Sequence, residues 1–175
     1  MITTAAKMLV LVGEKFACIR INGRANFSSS IDFKMLVNEL WQKGYRFFVL
    51  DLSECSLMDS TFLGLLAGFG LKMSDGQDEM CAQGIELLNP NARITELLEN
   101  LGVLHLFRVT AGPLSLPEQT QAQSLTPANP TKEEVTRACL EAHQTLMAIN
   151  PENASKFKEV TAFLAEDLKK LRKQG

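Results

Sequence analysis

Apolar positions recur along the first half of the chain in two different periods. Between Lys7 and Asn22 they crowd into two short runs, MLVLV and FACIRI, parted by Gly13, Glu14 and Lys15, a layout that predicts a two-stranded hairpin with one face buried. Ser28, Ser29 and Ser30 then precede IDFKMLVNELWQKG, where Ile31, Met35, Leu36, Leu40 and Trp41 fall at helical spacing up to Gly44. This predicts a helix capped by the serines and stopped by the glycine. The next run, RFFVLDLS, is continuous and of strand length, as expected for a strand buried on both faces of an α/β sheet and ending at Asp51.

From Ser60 onward Phe62, Leu63, Leu65, Leu66, Phe69 and Leu71 leave almost no polar relief, and Gly64, Gly68 and Gly70 permit close approach of another backbone. A helix apolar nearly all round is a buried helix. The polar stretch from Ser74 to Glu79 reads as a solvated turn leading through Gly84 to a strand, IELLN. Asn89, Pro90 and Asn91 then open a helix, ARITELLENLG, and HLFRVT supplies a last strand at the sheet edge.

Residues 113–130 hold four of the six prolines among Gln, Ser and Thr, the composition of a linker. Beyond it Thr131 and Glu134 form a capping box, and Val135, Ala138, Cys139, Ala142, Leu146 and Ile149 make one apolar stripe. Asn150 and Pro151 start another helix, in which Phe157, Val160, Leu164, Leu168 and Leu171 repeat the pattern. The chain therefore divides into an α/β domain over 1–112, a linker over 113–130 and an αα-hairpin over 131–175. The hairpin's stripe has to be covered, by a sheet face or by a second copy in a homodimer.

Composition narrows the function by exclusion. The 18 basic and 20 acidic residues leave a formal charge of -2, which offers no bulk attraction to nucleic acid. The apolar stretch from Met8 to Val12 is too short to cross a bilayer, so a cytoplasmic protein without membrane insertion is expected. Cys18, Cys55, Cys81 and Cys139 lack CxxC spacing and read as reduced structural thiols. No His/Cys cluster has metal spacing, Ser60 lacks a G-x-S-x-G elbow, and there is no phosphate-binding GxxxxGK[ST]. No catalytic residue, metal or cofactor is therefore expected. His105 and His143 read as packing or solvent-facing histidines, and the basic residues Lys169, Lys170, Arg172 and Lys173 suit the negative end of a helix.

The stretch LMDSTFLGLLAG places Asp59, Ser60 and Thr61 at the joint between a strand-like and a helix-like run. One side-chain oxygen is enough to cap a helix. Three polar residues leave at least one to be used otherwise. The longer segment VLDLSECSLMDSTFLGLLAG resembles the signature of STAS domains, the family of bacterial anti-sigma-factor antagonists and sulphate-transporter tails. FACIRINGRANFSSS and NPNARITELLENLGVLHLFRV are similar to that family's second strand with the entry to its first helix, and to its third helix with its last strand. The resemblance covers roughly residues 5–110 and implies an α/β fold with a STAS-like mixed sheet of four to five strands packed with helices, to which the C-terminal αα-hairpin is an addition.

The resemblance also implies a function. The residue matching Ser60 is the one phosphorylated by a partner serine kinase that doubles as an anti-sigma factor, with Thr61 as second choice of acceptor, and a phosphatase is a further implied partner. Asp59, Ser60, Thr61 and Phe62, with Asn26 and Phe27 at the entry to the first helix, form the implied partner-binding surface. Phe62 stands where the family usually carries a glycine, and its ring either plugs the core or projects toward the partner. The rival expectations are a scaffold or adaptor in which Ser60 only caps, and a module in which the same loop holds a lipid or nucleotide.

Overall fold

The architecture follows from one strand that is buried on both sides. A computed structural model describes residues 6–75, 84–114, 121–123 and 129–175. Strand β2 (Phe16–Ala25) carries Ala17, Cys18 and Ile19 in succession, all three fully buried. Strand β1 (Lys7–Val12) pairs with it antiparallel, and β3 (Phe47–Asp51), β5 (Gly84–Leu88) and β6 (Arg108–Thr110) extend the sheet in parallel on the other side. Two further strands, β4 (Cys55–Met58) and β7 (Gln121–Gln123), pair with the end of β2 and with β1. Among the described residues the sheet has seven strands, in the order β6-β5-β3-β2-β1-β7 with β4 beside β2.

The mixed α/β sheet and the C-terminal helices agree with the expectation, while the strand count exceeds it by β4 and β7. Both additions are short, four and three residues, and neither is long enough to carry a period. β7 also places part of the proline-rich stretch in the sheet rather than leaving it wholly a spacer. The strand buried on both faces is β2, whereas β3 alternates buried and half-buried positions. At the other edge, His105 and Leu106 of the expected last strand belong to a 3-10 turn (Leu104–Leu106), and only Arg108–Thr110 joins the sheet. Cys81 and most of the polar turn from Ser74 to Glu79 lie outside the described residues.

Helices α1 (Phe27–Gln42) and α2 (Ser60–Asp75) lie side by side over the core. Phe33 of α1 packs on Phe62 of α2 with ring centroids 4.8 Å apart, and Phe69 meets Phe48 of β3 at 5.0 Å. Helix α1 begins one turn earlier than the serines suggested: Asn26 caps it, and Ser29 returns the bond in a capping box. Helix α3 (Ala92–Asn100) is capped by Asn91, whose amide also donates to the carbonyls of Cys55 and Ser56, tying the helix to β4.

Helices α4 (Lys132–Ile149) and α5 (Ala154–Lys173) form the expected hairpin, with Thr131 and Glu134 in their capping box. The hairpin packs on helices rather than on a sheet face. Helix α4 lies along α2 and touches α1, so its stripe is already used within the chain. Asn153, fully buried between the two helices, donates to the carbonyls of Leu101 and Leu146 and fastens the hairpin to the core. On α5, Thr161 is buried while Val160, expected inside, faces out beside Phe163, which is 68% exposed.

The parallel register of β2 and β3 sets Arg20 opposite Asp51, and their side chains close an ion pair at 2.9 Å. Asp51 also accepts from the backbone and hydroxyl of Ser53, fixing the turn that leads into β4. Burial alone would raise its carboxyl, but the bonds from Ser53 and Arg20 outweigh it and hold it below the ordinary carboxylate value. A depressed carboxyl contributes stability above its unfolded value and loses it as pH falls through the folded one. Asp51→Asn is therefore expected to cost about 1.5–3 kcal/mol at neutral pH. Urea titrations should find that the gap between wild type and variant narrows as pH drops below about 4.

Candidate functional site

Backbone N–H groups at a helix start lack partners, and the chain meets this need at two helices with one carboxylate. Asp59 precedes α2, and its Oδ1 accepts from the N–H of Phe62 at 2.8 Å. Its Oδ2 accepts from the N–H of Phe27, in the first turn of α1, at 2.7 Å. The N–H of Asp59 in turn donates to the carbonyl of Ala25, at the end of β2. The charge thus sits at the positive ends of two helices at once.

With Asp59 as cap, the hydroxyl of Ser60 is not consumed in the first turn of α2. It lies 2.8 Å from Nε2 of His143 on α4, and Ser60 is partly exposed. Nδ1 of the same ring lies 2.6 Å from the carbonyl of Cys139. A carbonyl only accepts, so Nδ1 carries a proton, and Nε2 faces the serine O–H as its acceptor. Phe157 of α5 packs edge-on against the imidazole at 5.0 Å, and His143 is 5% exposed.

The other expected site residues divide by depth. Thr61 is 5% exposed and its hydroxyl points to Sγ of Cys139 at 3.6 Å, a thiol that burial pushes above its ordinary pKa. Phe62 is fully buried against Phe33, so of its two expected places the ring takes the core and offers no surface to a partner here. A glycine at 62 would leave that volume empty. Asn26 is buried as the cap of α1, while Phe27, 49% exposed, is the apolar side chain that stands in solvent beside the carboxylate of Asp59.

His143 is the member of this cluster that sequence reasoning missed. Its signal is positional: it lies four residues after Cys139, beside Ala142 on the stripe, where an apolar residue is expected. A polar side chain inside such a stripe needs a partner, and the partner was the serine across the interface. Among the described residues no group of three or more His, Cys, Asp or Glu could hold a metal ion, and no helix is long and apolar enough to cross a membrane.

The model of the STAS domain family matches residues 8–116, more than half of the chain. The chain belongs to the STAS domain family. Its fold is similar to that of the anti-sigma factor antagonist SpoIIAA in its unphosphorylated form, with 18% identity over 60% of this chain and 87% of that one and a TM-score of 0.50. An anti-sigma factor antagonist from Mycobacterium paratuberculosis gives 13% identity over 61% and 86% of the two chains, also with a TM-score of 0.50. No curated protein matches the sequence. Helices α4 and α5 lie beyond the matched STAS region, so the residue that meets Ser60 comes from outside it.

Three substitutions separate structural from spare groups in this STAS domain. Asp59→Ala removes the bonds to both helix starts and should cost about 1–3 kcal/mol, against less than about 1 kcal/mol for Ser60→Ala. Phe62→Ala should cost about 3–5 kcal/mol through the cavity it leaves. Guanidinium unfolding midpoints test the order Phe62, then Asp59, then Ser60.

Proposed function

We propose that this protein is an anti-sigma-factor antagonist that works by partner switching in the cytoplasm. In this reading a serine kinase that doubles as an anti-sigma factor binds the surface around Phe27, Asp59 and Ser60, and phosphorylation of Ser60 ends that binding. A phosphatase restores it. The observation that carries the reading is the division of labour at the start of α2: Asp59 caps the helix, leaving the partly exposed residue Ser60 with a hydroxyl that the helix does not need. The resemblance at 59–64 and membership of the STAS family support it.

Phosphorylation would set about -1.5 to -2 charge beside Asp59, enough to break an interface that tolerates a bare hydroxyl. The N-terminus of α2 would keep the phosphate compatible with the fold. Ser60 takes precedence over Thr61 as acceptor because the threonine hydroxyl is buried against Cys139. The protein performs no catalysis in this scheme. A homodimer seam along the hairpin would have to use the exposed Val160 and Phe163 of α5, since the stripe of α4 packs on α2.

A second reading, a constitutive adaptor in which Ser60 is never modified, is favoured by the bond from Ser60 to His143. Phosphopeptide mapping and partner pull-down from the native cells separate the two. The switch predicts phosphate on Ser60 and binding by Ser60→Ala at least about tenfold stronger than by Ser60→Glu. An adaptor predicts no phosphate and equal recovery of partners with both variants.

A further inference from the structure

The face of α2 that a partner would need is already occupied. At the crossing of α2 and α4 the two backbones touch: a Cβ built on Gly64 would lie 2.3 Å from the carbonyl oxygen of Ala142 and 2.7 Å from its carbonyl carbon. One turn on, a Cβ built on Gly68 would lie 3.4 Å from Cγ2 of Thr145. Opposite these glycines α4 presents Ala138 and Ala142. The contact is built from small residues, so the next side chains along α4 reach the first turn of α2. Cys139 meets Thr61, and His143 meets Ser60.

We propose that α4 is an internal competitor for the face of α2 beside Ser60, and that its displacement is the step that opens the serine to a partner. The inference rests on Ser60 being the switch residue of the preceding reading, and it adds what gates that residue. Phosphorylation replaces the proton that Ser60 donates, so the modified serine cannot keep its bond to Nε2 and the docked helix loses that contact. The chemistry of the competing partner follows from the helix it replaces. It is a protein that presents a helix with small residues four apart, able to approach the backbone at Gly64.

The hold on α4 is uneven along its length. Its C-terminal end is anchored by Leu146, fully buried, and by Asn153, bonded to Leu101. Around Ser60 the contact is made by Ala138, Ala142 and the buried His143, with an exposed ion pair between Lys34 and Glu141 at 3.4 Å beside it. A groove of about 200 Å³ stays open beside the crossing, lined by Lys34, Val37, Gly68, Ala138 and Thr145. Small side chains bury less apolar area than large ones, and pairs between exposed charges add little. Displacing α4 from Ser60 has to break the His143 contact and the small-residue crossing at Gly64.

The test needs no kinase. In the full-length chain Ser60→Cys is alkylated with iodoacetamide, and the modified peptide is quantified by mass spectrometry. Adding Gly64→Ala places a methyl against the backbone of Ala142, and adding His143→Ala uncovers the same position without that clash. Each should raise the alkylation rate at position 60 by about tenfold or more, with amide exchange in β2 and β3 unchanged. If Gly64→Ala disturbs the sheet, the His143→Ala chain decides the matter alone. Equal rates in all three chains would overturn the competitor, because residue 60 would then have been open throughout. The phosphorylation reading fails by a different result: a Gly64→Ala chain that opens in this assay yet carries no phosphate at Ser60 when expressed in its native cells.

Discussion

One carboxylate organises the region on which the functional account depends. Asp59 accepts from the starts of α1 and α2 with separate oxygens, and its own N–H is held by the end of β2. The joint between β2 and α1 is thereby fixed to the start of α2, and orphan N–H donors that would otherwise turn to the nearest hydroxyls are satisfied. The consequence is chemical as well as structural. Ser60, one residue on, is positioned by a rigid frame without being part of what holds the frame together.

The fate of that hydroxyl is decided by an element outside the STAS region. Helix α4 brings His143 to Ser60 because Gly64 lets its backbone touch α2, and because Phe157 and the Cys139 carbonyl fix the ring from behind. A buried histidine in a stripe of small apolar residues is otherwise a costly choice. Its presence makes sense as a polar contact that recognises one group across the helix crossing. A phosphoserine or a partner helix would have to replace that contact, so the hairpin and the serine act as one unit.

Much of this was legible before the coordinates. The capping box at Thr131, the helix from Ser60, the strand around VLDLS and the residues at the joint all follow from period, capping chemistry and family resemblance. Where the reading fell short, the physical signal was absent or ambiguous. Strands β4 and β7 are too short for alternation to register, and Asn26 competed with three adjacent serines that have similar capping preference. The two-sided burial of β2 was hidden because Arg20 and Cys18 interrupt its apolar run, while the run of β3 reads as more buried than it is. His143 carried no motif, since its partner lies 83 residues away and pairings at that distance leave no local pattern.

The account stands on the oxygen of Ser60 being held by α4 rather than by the first turn of its own helix. Nitrogen-15 NMR of the imidazole of His143 reads this directly. The account predicts one fixed tautomer, protonated at Nδ1, with an Nε2 resonance that moves when Ser60 is replaced by alanine. A ring averaging between tautomers, or an Nε2 signal indifferent to that replacement, would contradict it.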